Sequence, residues 1–156
     1  MRARDLAEPY PTVSLDDQAL DAARLLAEHR LPGVLVVDGP GSPRAILPAS
    51  QLVRLLVPGY VMEDPTLAAV IDEAHADRLC EALAGLRVRD CLPKDAPAPT
   101  VADADDTAVE IAALMARNRS PLAAVVERAP GGRGAGGRLL GVITASHLLH
   151  RLLGNP

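Results

Sequence analysis

Two halves of the chain repeat the same pattern of residues, and this internal repeat limits the fold more than any other feature. Three blocks align in the same order, with shifts of 88 positions for the first block, 89 for the middle block at Pro32 and Pro121, and 96 for the last block at Ser50 and Ser146. The blocks are PTV at 11–13 with PTV at 99–101, ARLLAEHRLPGVLVVD at 23–38 with AALMARNRSPLAAVVE at 112–127, and RAILPASQLVRLL at 44–56 with LLGVITASHLLHRLL at 139–153. Spacing changes only between blocks, where loops tolerate insertions. The repeat predicts two similar units that share one core, because units of about 60 residues are marginal alone.

Each repeat predicts the element order β-α-β-β-α, a mixed α/β (α+β) class. Acidic and Ser residues before an apolar-periodic stretch mark a helix start, near 17–29 and again near 107–117. Short apolar runs, VLVVD and AAVVE, then predict buried strands, followed by a second strand and a closing helix that begins at PAS or TAS. The apolar faces expected to be buried are Ala19, Leu20, Ala23, Leu26 and Ala27 in the first helix, and Val109, Ala113 and Leu114 or their neighbours in the second.

The segment between the repeats has no counterpart elsewhere in the chain. We expect repeat 1 at 1–56, a helical connector at 57–87 and repeat 2 at 88–156. Asp64 and Pro65 fit the first positions of a connector helix. Its apolar stripe would be Leu67, Val70, Ile71, Ala74, Leu79 and Leu83, ending at Gly85. The stripe indicates packing on the chain's own core or docking of a partner.

Charge and aromatic content argue against nucleic-acid binding. The 16 Lys and Arg residues are outnumbered by 20 Asp and Glu residues, which leaves a net charge of −4. Such a surface lacks the basic excess that releases counterions from phosphates. Tyr10 and Tyr60 are the only aromatic residues, so base-stacking platforms are missing as well. The core is expected to be aliphatic.

Nothing in the sequence indicates export, membrane insertion or a thiolate metal site. Cys80 and Cys91 form no CxxC pair, and no run is long enough to cross a bilayer. The N-terminal residues lack the apolar region of a signal peptide. A glycine-rich stretch at 130–138 lacks the GK[ST] of a phosphate-binding loop and predicts a hairpin tip. We expect a cytoplasmic protein without direct membrane insertion.

The repeat resembles a tandem pair of CBS (cystathionine-β-synthase) domains, the Bateman module. The residues that carry the resemblance are LPGVLVVD at 31–38, SPLAAVVE at 120–127 and GVITASHLL at 141–149. They are similar to the family's hydrophobic-Pro element and its G-h-h-T-x-x-D-L closing signature. The resemblance implies two repeats with pseudo-twofold symmetry and clefts for adenosine-containing ligands such as AMP, ADP, ATP or S-adenosylmethionine. It also implies a homodimer that regulates an enzyme or transporter.

The resemblance also implies which residues would line each cleft. The threonine of the signature would lie near phosphate oxygens at a helix N-terminus, and its aspartate would accept hydrogen bonds from the ribose hydroxyls. The second cleft would comprise Thr100, Val101, Arg119, Ser120, Pro121, Leu122, Thr144, Ser146 and His147. The first cleft would comprise Thr12, Val13, Arg30, Leu31, Pro32, Pro48 and Gln51.

Both clefts depart from the family pattern at the ribose position. The second repeat keeps Thr144 but has His147 in place of the aspartate, and the first repeat has Pro48 and Gln51 at the two positions. A charged acceptor contributes about 1.5–3 kcal/mol and a neutral one about 1 kcal/mol, so loss of the carboxylate could weaken ribose binding by about 10- to 100-fold. The second cleft is expected to be the better one, and the first is expected to be degenerate.

No catalytic or metal site is expected. His147 and His150 are spaced i,i+3 but lack a neighbouring acidic or cysteine ligand, and the paired acids at 16–17 and 105–106 fit helix caps. The leading hypothesis is a sensor of an adenosine-containing ligand that acts on a separate partner protein. The alternative is a dimerisation or protein-interaction module that binds no nucleotide.

Overall fold

The computed structural model describes residues 1–39, 41–70, 78–128 and 137–154. Its helices are α1 (Ala3–Leu6), α2 (Ala19–His29), α3 (Ala49–Leu56), α4 (Gly59–Glu63), α5 (Val88–Cys91), α6 (Ala108–Asn118) and α7 (Ala145–Leu152). Its strands are β1 (Thr12–Ser14), β2 (Gly33–Asp38), β3 (Ser42–Pro48), β4 (Val101–Asp103), β5 (Leu122–Glu127) and β6 (Arg138–Thr144). The predicted β-α-β-β-α order is confirmed in both repeats.

Each repeat forms its own three-stranded sheet, in the orders β1-β2-β3 and β4-β5-β6. The first two strands of each sheet are parallel, with Val13 paired to Val36 and Ala102 paired to Val125. Strands β5 and β6 are antiparallel, and their register shifts between Val125 and Val126. The parallel pairs need a crossover, and α2 and α6 supply it.

Each repeat begins with a short helix that packs on the other repeat. In α1, the amides of Ala3 and Arg4 donate to the carbonyls of Asp106 and Ala104, over 2.8 and 3.0 Å. In α5, the amide of Val88 donates in the same way to Asp17 over 2.9 Å. The repeated ARD and VRD sequences thus form short helices, and the amides of each helix bind the turn that precedes the long helix of the other repeat.

The chain folds as two compact units that do not follow the repeat boundaries. Unit 1 contains residues 1–14, 35–46 and 95–156, and unit 2 contains residues 15–34 and 47–94. Residues of both sheets meet within unit 1, where Leu35 forms a buried cluster with Leu122, Ala124 and Val142. The expectation that the two repeats share a core is confirmed there.

The buried helix faces differ in part from the predicted ones. In α2, Ala19 and Leu26 are buried as predicted, but Ala27 is exposed and Ala22 is buried. In α6 the prediction was wrong for Val109 and Ala113, since both are exposed, and Leu114 is half-buried. The buried residues of α6 are Ala108, Ile111 and Met115. The buried face of α6 is therefore rotated about the helix axis relative to the predicted face. The periodicity predicted the helix but not which of its faces is buried.

Over its described residues, 57–70 and 78–87, the connector does not form the single helix that the stripe predicted. The described part of the connector forms α4 and two 3₁₀ segments, Pro65–Val70 and Leu79–Leu83. Asp64 caps the first segment as expected, since its carboxylate accepts from the amide of Thr66 over 3.2 Å. Leu83 is buried, but Val70 is exposed, which corrects the stripe at that position. Ile71 and Ala74, and residues 130–136 of the glycine-rich stretch, lie outside the described residues.

Candidate ligand-binding site

Each repeat brings its proline element against the start of its closing helix. The amide of Ala145 donates to the carbonyl of Pro121 over 3.0 Å, and the amide of Ala49 donates to that of Pro32 over 3.0 Å. Because these bonds link loop and helix directly, residues that are 24 positions apart in the second repeat and 17 apart in the first become neighbours. Arg119–Leu122 and Thr144–His147 therefore lie together in the second cleft.

Thr144 begins α7 as a helix cap. Its hydroxyl accepts from the amide of His147 over 3.2 Å and lies 3.3 Å from the hydroxyl of Ser146. Thr144 also pairs with Leu122 across β5 and β6, so the sheet fixes where the helix starts. The hydroxyls at this end are half-buried or exposed, beside amides that have no partner within the helix. This end of α7 can donate hydrogen bonds to an anion.

Thr100 is buried at the entrance to β4, with 2% of its surface exposed. Its hydroxyl accepts from Nδ2 of Asn118 over 3.1 Å, and its carbonyl accepts from the amide of Ala124 over 2.9 Å. Val101 follows in β4 and is half-buried. Thr100 therefore ties the end of α6 to β4, and Asn118 is a member of the cleft that the repeat alignment did not indicate.

An arginine in a left-handed backbone conformation precedes the proline element in both repeats. Arg119 has a φ of 49° and Arg30 a φ of 52°, and they are the only non-glycine residues with positive φ among those described. Such conformations are costly for side chains with a Cβ and concentrate at functional positions. Both arginines cap their helices and are exposed, so their guanidinium groups are available to an anionic ligand.

His147, which stands where the family's closing signature has aspartate, lies near a carboxylate from another part of unit 1. Its Nδ1 lies 3.7 Å from Oε1 of Glu8, and its side chain is 20% exposed. Glu8 is far away in sequence and belongs to no repeated block, so no sequence signal indicated this neighbour. The second cleft therefore contains a carboxylate that the closing signature itself lacks.

The first cleft has a different arrangement of polar groups. Pro48 begins α3 without a side-chain cap, and Nε2 of Gln51 donates to the carbonyl of Cys91 over 3.1 Å. Thr12 and Val13 belong to β1 in unit 1, whereas the other predicted residues of this cleft belong to unit 2. Within unit 2 the cleft offers Arg30 as its charged group and an already engaged Gln51.

Cys91 and the described histidines, His29, His147 and His150, do not form a metal-binding cluster. Burial raises the pKa of the Cys91 thiol, and Asp90 adds to the effect, so the thiol remains neutral at neutral pH. No group of three His, Cys, Asp or Glu side chains within the described ranges is placed to hold a metal ion. Across the same ranges, none of the helices combines the length and apolar character that a bilayer span requires.

The comparisons with known proteins agree with this geometry. The family model described as "CBS domain" matches residues 3–58 and 88–154. The chain belongs to the CBS domain family. Its two copies make it a tandem CBS pair, and no curated protein matches its sequence.

Solved structures of other CBS proteins share the fold. A CBS domain-containing protein of unknown function from Kribbella flavida is 47% identical over 99% of both chains, with a TM-score of 0.82. CBSX2 from Arabidopsis thaliana, solved in complex with AMP, is 19% identical over 97% of this chain and 96% of its own, with a TM-score of 0.66. The CBS domain of a bacterial CNNM/CorC family Mg²⁺ transporter, solved in complex with ATP, is 17% identical over 100% of this chain and 89% of its own, with a TM-score of 0.65.

Proposed function

We propose that this CBS pair is a cytoplasmic regulatory module that binds an adenosine-containing ligand in the second cleft and acts on a separate partner protein. The observation that supports the proposal is the hydrogen bond from Ala145 at the capped start of α7 to Pro121, two residues after Arg119. The sequence thus brings a cationic residue close to a helix N-terminus. This combination suits a phosphate group.

The apolar residues of the cleft suit the other end of such a ligand. Val101 and Pro121 are half-buried beside the strand ends, whereas Leu122 is fully buried in the core and leaves no exposed surface for a ligand. Half-buried aliphatic groups next to polar ones offer a surface for a purine ring and hydrogen bonds for the groups attached to it. The second cleft therefore combines an apolar part with an anion-binding part, as an adenosine nucleotide requires.

The structural relatives support this ligand class. One of the solved CBS structures holds AMP and another holds ATP. We expect one nucleotide per chain, because Pro48 removes the hydroxyl and Gln51 is already engaged in the first cleft. Ligand binding would select among arrangements of the repeats and so alter a surface that a partner recognises. The proposed role is regulatory rather than catalytic.

A second function, as a dimerisation or interaction module, is supported by the outer face of α6 and α7. Val109 is 72% exposed, Leu149 57% and Leu153 73%. Apolar side chains that cluster on a surface indicate contact with another protein. We propose that this face contacts a second copy of the chain, which sedimentation velocity can test. We expect the wild type to be a dimer, the double variant Val109→Asp/Leu149→Asp to be a monomer and the control Arg24→Asp to remain a dimer. A monomeric wild type would contradict the proposal.

Thermal unfolding and calorimetry test the nucleotide proposal. AMP, ADP, ATP and S-adenosylmethionine are added at 1 mM to the wild-type chain, to Thr144→Ala and to Arg119→Ala. A ligand with a dissociation constant of about 10 µM would stabilise the fold by about 2.7 kcal/mol, which shifts the melting temperature measurably. We expect one ligand to stabilise the wild type, and we expect Thr144→Ala and Arg119→Ala to weaken that stabilisation. The matched control Arg30→Ala should leave it unchanged. Failure of all four ligands to bind would refute the proposal.

A further inference from the structure

The carboxylate of Glu8 lies beside His147, the residue that stands where the closing signature of the second repeat lacks its aspartate. Oε1 of Glu8 lies 3.7 Å from Nδ1 of His147, and the Glu8 side chain is 55% exposed. The amide of His147 is bound to Thr144, which fixes the first turn of α7. Glu8 is therefore next to the helix start and remains open to solvent and to a ligand.

The backbone of Glu8 is fixed from two sides. Its amide donates to the carbonyl of Val142 over 3.0 Å, and its carbonyl accepts from the amide of Val142 over 2.9 Å. A Cβ on Gly141 would lie 2.5 Å from the Glu8 carbonyl oxygen, so only glycine permits this approach. The preceding helix is anchored by Ala3 and Leu6 in the core of unit 1. The position of Glu8 is thus set by the fold and not by its own side chain.

We infer that Glu8 supplies the carboxylate that accepts hydrogen bonds from the ribose hydroxyls in the second cleft, with His147 as its positioning residue. A carboxylate has two oxygens that accept from both hydroxyls of a cis-diol, which a single imidazole nitrogen cannot do. This inference rests on the proposed nucleotide function. A carboxylate from Glu8 would allow ribose recognition in the second cleft, although the closing signature there has histidine in place of aspartate.

The first repeat offers no equivalent group. Glu8 is the second residue after α1, and the second residue after α5 is Pro93, which has neither a carboxylate nor an amide donor. In that repeat Gln51, the counterpart of His147, donates a hydrogen bond to the backbone carbonyl of Cys91. The inference therefore assigns ribose recognition to one cleft of the two.

Calorimetry with AMP and with 2′,3′-dideoxyadenosine 5′-monophosphate tests the inference on the full chain. The wild type is expected to bind AMP about 10- to 100-fold more tightly than the dideoxy compound, and Glu8→Gln is expected to lose most of that ratio. Glu63→Gln, an exposed residue at the end of α4, is the matched control and keeps the ratio. In Glu8→Gln/His147→Asp the ratio returns, because the new carboxylate makes Glu8 dispensable.

Three results would overturn the inference in distinguishable ways. If the wild type binds AMP and Glu8→Gln preserves the ratio, Glu8 does not recognise ribose, while the nucleotide proposal stands. If no variant binds either compound, both proposals fail together. A ratio lost in Glu8→Gln and not regained in the double variant would show that Glu8 acts on the shape of the cleft and not as the acceptor.

Discussion

Arg4 donates from Nη2 to Oδ1 of Asp105 over 2.8 Å. The bond joins α1, at the start of the first repeat, to the turn that precedes α6 in the second repeat. The repeat-equivalent residues Arg89 and Asp16 form the same ion pair. The Asp105 carboxylate raises the pKa of the Arg4 guanidinium, first through this hydrogen bond and then through its charge. The first helix of each repeat therefore contacts a helix-start turn of the other repeat.

Leu6→Ala is expected to lower the free energy of unfolding by about 2–5 kcal/mol, because Leu6 is fully buried and its removal leaves a cavity. The ion pair of Arg4 lies at the exposed surface, so Arg4→Ala should cause a much smaller loss. Urea denaturation of the full chain measures both. A loss for Leu6→Ala no greater than that for Arg4→Ala would contradict the assignment of α1 to the core of unit 1.

The sequence was sufficient for the repeat and the element order, because these follow from periodicity and from two copies of one pattern. It did not reveal that α1 and α5 exchange partners, since helices of four residues have no periodicity. Glu8 was missed for a related reason. Its contacts with Val142 and His147 depend on how distant segments meet, and no local pattern encodes that meeting.

Gly141→Ala is expected to destabilise the fold by about 1–3 kcal/mol, because the new Cβ meets the Glu8 backbone at 2.5 Å and one segment must move. The same displacement should weaken nucleotide binding in the second cleft. Chemical denaturation and calorimetry measure the two effects. Gly59→Ala is the control, since a Cβ there meets nothing within 4 Å. Equal behaviour of the two variants would show that Glu8 and Val142 are not paired.

The two cysteines are expected to react very differently with a thiol reagent. Cys80 is exposed, whereas Cys91 is buried and burial raises the pKa of its thiol. Because the thiolate is the reactive form, Cys80 should be modified first and Cys91 only when the protein unfolds. Mass spectrometry after timed treatment with iodoacetamide, on the wild type and Cys80→Ser, measures this. Rapid modification of Cys91 in folded Cys80→Ser would contradict the observed packing of α5.

Glu110 should make the stability of the chain depend on acid pH. Its carboxylate accepts from the Thr107 amide over 2.6 Å in a capping box, and this hydrogen bond lowers the pKa of Glu110. The contribution to stability is present above the ordinary pKa of a glutamate and is lost as the pH falls through the lowered one. Melting temperatures between pH 7 and pH 3 should therefore fall less steeply in Glu110→Gln than in the wild type. Identical slopes would contradict the capping box.

Amide NMR spectra recorded during an AMP titration report both whether the nucleotide binds and which residues it affects. Chemical-shift changes are expected to concentrate on Ser120, Leu122 and the residues 145–147 of α7, which surround the hydrogen bond between Ala145 and Pro121. The matching amides of the first repeat, Leu31, Gly33 and residues 49–51, should change much less. Shifts confined to the first repeat, or none at millimolar AMP, would contradict the claim that the second cleft is the nucleotide site.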